Sequence, residues 1–244
     1  MTAIDTGGTD QRDAQLKPGD VATDPAARGV LYQTLARAFA HPTEAFHAAL
    51  GAGRIGSGIR DAITQTRLDV TVPDLSPAED YQDLSARYNH VFALGMTATT
   101  DRTDGSVEKE GPAVSLYESS HRDDATWETI NVDLARAYEY YDLSVNTDER
   151  DHHDNLGLQL EFAGYLARRE ALGEDDAAAA RRDLLDRHLT VFTSSLREEL
   201  VELDTAGVYT ELATLLERVV AADHADLTDR LGAGPSADER EVNW

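Results

Sequence analysis

Apolar side chains recur every three or four positions through most of this chain, the period of an α-helix with one buried face. Val30, Leu31, Leu35, Ala38 and Phe39 mark the first such stretch. Asp24-Pro25 opens it, an N-cap followed by proline at the first helical position. His41-Pro42 ends it and starts a short helix with Phe46 and Leu50. Gly51, Gly53, Gly56 and Gly58 predict a loose connection before Ile59 and Ile63 resume the period. Ser76-Pro77-Ala78-Glu79 reads as a capping box. The helix it opens carries Tyr81, Leu84, Tyr88, Val91 and Phe92 on one face. From Asp124 the period returns at Trp127, Ile130, Leu134, Tyr138 and Tyr141. Further helices are predicted over about 151–172, about 174–204, and after Gly207, where Tyr209, Leu212, Leu215, Leu216 and Val219 repeat.

Only 68–72 alternates with period two, and it is too short to matter. The pattern predicts an all-α fold: a single-domain helical bundle of about nine or ten helices over 24–231. Residues 1–23 read as a disordered N-terminal tail and 232–244 as a C-terminal tail. Residues 95–112 have no period and predict a long loop, a plausible hinge for exchange between copies. Monomer and swapped dimer therefore both stay open.

Hydrophobic residues make up 41% of the 244, enough for a sizeable core. No run is long and apolar enough to span a bilayer, so no stable membrane insertion is expected. The first residues lack the basic and apolar regions of a secretory signal, and the cytoplasm is the expected compartment. With no cysteine, disulfides, thiolate metal sites and thiol nucleophiles are excluded. Charge changes the picture most. The chain carries 28 Asp and 18 Glu against 20 Arg and two Lys, Lys17 and Lys109, for a net −24. Such a surface repels nucleic acid. The acids spread along the whole chain, which reads as adaptation to molar salt, where the Debye length is only ~3 Å.

The catalytic inventory is thin: no phosphate-binding glycine loop, nucleophile elbow or H-E-x-x-H helix is present. Two E-x-x-H units, Glu118/His121 and Glu149/His152, are half of a carboxylate-bridged di-metal site and form the enzyme alternative. Asp151 and Asp154, one turn apart, read first as helix N-terminal caps. Trp127, Tyr138, Tyr140 and Tyr141 read as core and rim.

Five stretches taken in order resemble the TorD/DmsD/NarJ family of molybdoenzyme assembly chaperones. They are the opening helix with Tyr32, Leu35, Ala36, Phe39 and Pro42; YQDLSARYNHVFALG at 81–95; GPAVSLYESSHR at 111–122; DNLGLQLEFAGYLARRE at 154–170; and DRHLTVF at 186–192. The family's Asp-His pair falls on Asp154-Asn155, while a literal Asp-His sits one turn earlier at Asp151-His152. Either Asn155 replaces the histidine or His152 reaches the same place. The resemblance implies no covalent chemistry and no cofactor. It implies binding of the twin-arginine leader, or N-terminal region, of a molybdopterin-containing oxidoreductase catalytic subunit until that subunit's cofactor is inserted. Which client is served stays open: a dimethyl sulfoxide or trimethylamine oxide reductase, a nitrate reductase or a related enzyme all fit the resemblance. The site residues it suggests are Tyr88, Phe92, Tyr117, Glu118, His152, Asp154 and Asn155. In that expectation the aromatics line an apolar groove, and Glu118 and Asp154 are the short-range acceptors.

Overall fold

A computed structural model describes residues 4–6, 21–77, 79–93, 111–145, 152–174 and 176–232. The helices are α1 (Thr23–Ala38), α2 (Glu44–Gly51), α3 (Arg54–Thr64), α4 (Tyr81–Tyr88), α5 (Trp127–Tyr140), α6 (Leu156–Ala171), α7 (Ala177–Leu184), α8 (Thr190–Glu202) and α9 (Val208–Leu231). The predicted all-α class holds. A π-helical turn, Leu185–Leu189, joins α7 to α8 without a break, so the described helices form eight separate rods. The count falls just short of the nine or ten expected, and 111–126 holds bends and a single 3-10 turn, Glu118–Ser120. A second π turn, Asn89–Ala93, extends α4. One short antiparallel ladder, β1 (Ile4–Thr6) against β2 (Leu143–Val145), lies partly within the stretch read as a tail. The rest of that stretch up to residue 20, most of the 95–112 loop and the C-terminal tail beyond Gly232 lie outside the described residues.

Helices α1 and α6 cross at the centre of the bundle. Gly29 and Gly164 make that crossing close: a β-carbon at Gly164 would meet the Gly29 carbonyl and Tyr32 Cβ, both at 3.3 Å. Leu31, Tyr32 and Leu35 from α1 and Leu160, Phe162, Ala163 and Leu166 from α6 are buried there. Helices α8 and α9 close the far side with Phe192, Leu196, Leu212, Leu216 and Val219. Beside this core, Arg28 is wholly buried and reaches three carboxylates: Asp24, Asp223 and Asp226.

Local signals decide several boundaries differently from the expectation. Asp80, not Ser76, caps α4, accepting from the Gln82 and Asp83 amides at 2.9 and 3.0 Å. Glu79 is thereby released to pair with Arg87. The glycine run before Ile59 is mostly helical, because the apolar face of Ile55, Ile59 and Ile63 packs onto the core and outweighs the weak propensity of Gly56 and Gly58. Gly53, at φ +70°, is the break between α2 and α3. Helix α6 begins at Leu156 rather than near 151, since Asn155 caps it by accepting from the Gly157 amide at 2.9 Å.

Candidate functional site

Two of the family-like segments meet before either reaches the surface. Tyr117 and Asn155 form an isolated antiparallel bridge: the Glu118 amide donates to the Asp154 carbonyl at 3.0 Å, and the Leu156 amide donates to the Leu116 carbonyl at 2.8 Å. The Ser119 amide donates to Asp154 Oδ2 at 3.1 Å, and the Asp154 amide donates to Asn131 Oδ1 at 3.2 Å. Asp154 therefore has no exposed surface. It locks the 111–122 segment onto the start of α6.

Glu118 is equally buried and collects three donors: Arg122 Nη1 at 2.8 Å, Gln159 Nε2 at 2.9 Å, and His188 Nδ1 at 3.0 Å. The other ring nitrogen of His188 faces Asp133 Oδ2 at 3.0 Å, and Asp133 also pairs with Arg187. With a carboxylate on each side, the imidazolium is the form that satisfies both nitrogens. Burial alone would lower the His188 pKa and raise that of Glu118. The mutual hydrogen bonds, with Arg122 on Glu118 and Asp133 on His188, outweigh it, so His188 is raised and Glu118 lowered. His188 sits on the π turn between α7 and α8, a rare kind of turn that is frequent at functional sites.

The di-metal alternative fails on this geometry. Glu118 spends its oxygens on internal donors. His121 turns away from it, with Nδ1 at 3.1 Å from Ser195 Oγ, Nε2 at 2.8 Å from the Ser115 carbonyl, and its ring on Phe192. Glu149 lies outside the described residues.

A groove of about 510 Å³ opens on the other side of the bridge. Its walls come from α1 and its exit (Gln33, Arg37, His41), the end of α4 (Tyr88), the 111–122 segment (Leu116) and the start of α6 (Asn155, Gly157, Glu161). Tyr88 is half-buried, donates its hydroxyl to the Phe39 carbonyl at 3.2 Å and packs its ring 5.0 Å from His41. Burial raises the Glu161 carboxyl above its ordinary range, with the positive charges of the N-terminal ammonium and of Arg168 pulling the other way.

The seven residues suggested by sequence thus separate into three places. Tyr88 and Asn155 line the groove. Phe92, Glu118 and Asp154 are buried behind it, Phe92 against Phe39 and Tyr209. Tyr117 and exposed His152 belong to an aromatic cluster with Trp127, whose ring stands 5.2 Å from His152. Of the two options for the Asp-His position, Asn155 is the one on the groove. Glu161 on the groove and His188 in the buried network were visible only as letters inside the α6 and DRHLTVF motifs.

This all-α bundle spends its best acidic constellation on internal pairing, beside an open groove. The chain belongs to the nitrate reductase delta subunit family, whose model matches residues 58–198, more than half of its length. It is 30% identical over 162 residues to the selenate reductase assembly chaperone protein of Thauera selenatis, covering 64% of this chain and 76% of that protein. It is 28% identical, with the same coverage, to the chlorate reductase assembly chaperone protein of Ideonella dechloratans. The perchlorate reductase assembly chaperone protein of Dechloromonas aromatica is 27% identical over 207 residues, 80% of this chain and 88% of the relative. No solved structure matches. No described helix is long and apolar enough to cross a membrane.

Proposed function

We propose that this chain is a dedicated cytoplasmic maturation chaperone. It binds the twin-arginine leader or N-terminal region of a molybdopterin-containing catalytic subunit and holds it until the cofactor is in place. Relatives named for selenate, chlorate and perchlorate reductases support a client of the oxyanion-reductase kind. One observation carries the reading: an open groove lies where four family-like segments converge, walled by Gln33, Tyr88, Leu116 and Asn155. The reading assigns the chain no covalent chemistry. Its buried carboxylates hold the groove's shape, and the client meets the rim.

Specificity then comes from contact. At about 1 M salt the Debye length of ~3 Å leaves little long-range attraction. Burial of the leader's apolar run is worth about 25 cal/mol per Å². Calorimetric titration with a peptide carrying two arginines and an apolar run tests this at molar salt. Saturable binding that weakens at least about tenfold in Tyr88→Ala, a loss of about 1.4 kcal/mol, is expected. A chain that neither binds such a peptide nor co-purifies with a molybdenum-enzyme subunit refutes it.

A further inference from the structure

Strand β2 is an edge set into an otherwise helical surface. It follows α5 across Asp142, which among the described residues is the non-glycine position at positive φ, +54°. Leu143 and Val145 are buried and Ser144 between them is exposed, so alternate side chains fix the strand to the core. Its main-chain N–H and C=O groups are left to be satisfied along its edges. Strand β1 covers one edge, with Ile4 opposite Val145, Asp5 opposite Ser144 and Thr6 opposite Leu143. Two strands of this length make a marginal ladder, and closing it joins segments far apart in the sequence. The fixed member is β2 and the replaceable one is β1.

The edge lies in the neighbourhood of the groove. Tyr141, two residues before β2, packs its ring 5.9 Å from Tyr165, one turn along α6 from Glu161 on the groove wall. The ammonium ahead of β1 acts on the Glu161 carboxyl, so that end of the chain and the groove are within electrostatic reach of each other. Next to the strand, Tyr140 is 65% exposed with its ring 5.0 Å from Tyr141. Aromatic faces open beside a strand edge suit an apolar segment better than a charged one.

We propose that the edge of β2 receives an extended apolar stretch of the client, and that β1 is the chain's own stand-in, displaced when the client arrives. The inference rests on the chaperone reading above and adds to it a second contact and its regulation. Recognition is by main-chain pairing, with alternate side chains of the incoming segment set against Val145 and Leu143. Such pairing tolerates sequence variation in the client, while the tyrosine flank selects for apolar character. Tethering holds β1 at a high effective concentration, so it covers the edge when no client is present and keeps it from pairing with other chains. The client's apparent affinity is reduced by the fraction of chains in which the edge is covered.

The chain has no cysteine, so a reversible lock can be built at one register pair. Asp5→Cys with Ser144→Cys sets two thiols directly opposite each other, and Ser144 is exposed, so no core side chain is lost there. The full chain carrying both is titrated at molar salt, oxidised and then reduced, with a synthetic peptide of two arginines and an apolar run. The reduced form is expected to bind as wild type does, and the oxidised form about tenfold or more weaker. Isotope-labelled carbonyls in the apolar run should give the infrared signature of a strand in the reduced complex. Equal affinity in the two states, a helical signature, or a disulfide that does not form overturns the proposal. If β1 exchanges instead with the same strand of a second copy, the reduced chain dimerises in light scattering and peptide affinity ignores the lock, which also overturns it. If wild type and the reduced chain both fail to bind the peptide, the chaperone reading fails and takes the proposal with it; a lock without effect on a chain that binds leaves that reading standing.

Discussion

Glu118→Gln removes one charge from the centre of the buried network and almost no volume. In the native protein the carboxylate receives donors from Arg122, Gln159 and His188 at 2.8–3.0 Å. An amide has one accepting oxygen and one nitrogen that only donates, so at least one of those three donors must face an N–H instead, and the imidazolium keeps Asp133 as its one anionic partner. Breaking a buried ion pair by neutralising one partner costs about 3–5 kcal/mol. For a chain of this length each kcal/mol moves Tm by about 2–4 °C, so a fall of about 6–20 °C is expected at pH 7. The pH dependence gives a second readout. Glu118 is held below its ordinary 4.5, so its contribution is complete above that value and lost as pH falls through the lowered pKa. His188 is held above its ordinary 6.5, so its contribution is complete below that value and lost as pH rises through the raised pKa. Native stability therefore declines on the alkaline side, and the decline should be shallower in Glu118→Gln, where one carboxylate no longer raises His188. Denaturant titrations at constant molar salt from about pH 5 to pH 9 measure both. A variant within about 1 kcal/mol of wild type at pH 7, or one with an unchanged alkaline slope, refutes the reasoning.

Gly164→Val places methyl groups where the Gly29 carbonyl and Tyr32 Cβ already stand 3.3 Å from the site of a β-carbon, so overpacking of about 1–3 kcal/mol is expected in urea denaturation. Arg28→Lys keeps the charge but offers one nitrogen where three now face three carboxylates. A loss of about 2–3 kcal/mol is expected, and a neutral outcome would show that the fork geometry is not used. Lowering ionic strength from about 1 M to about 0.05 M unscreens a net −24, so Tm should fall; an unchanged Tm would contradict the salt-adapted reading of the acidity.

The helical layout was legible because it rests on local rules: apolar period, caps and proline positions. Where two local signals competed, the stronger one near the apolar face prevailed, as Asp80 did over Ser76 at the start of α4. The site was legible only as far as its motifs run. Tyr88 and Asn155 stand on the groove wall. The burial of Glu118 was not readable, because the partners that bury it lie 41 and 70 positions away, at Gln159 and His188. A glutamate three residues before a histidine looks like half a ligand set until the histidine is found bonded to Ser115 and Ser195.

The acidity of this protein belongs to its surface. Among the described residues, the fully buried charged side chains are Arg28, Arg181 and His188 against Glu118, Asp154 and Asp223, three of each sign. An interior balanced in this way is indifferent to bulk salt, while the surface excess depends on it. The same division explains the near absence of lysine. Both lysines fall outside the described residues, and every described ion pair uses arginine or histidine. Arg28 shows what arginine adds, with Nε on Asp24, one terminal nitrogen on Asp223 and the other on Asp226. Arg181 likewise bridges Glu170 and Asp223. A planar fork fixes several carboxylates in direction as well as in charge, which a single ammonium cannot do. In a chain with more than twice as many acids as bases, each buried base must serve more than one acid, and arginine is the side chain whose geometry permits it.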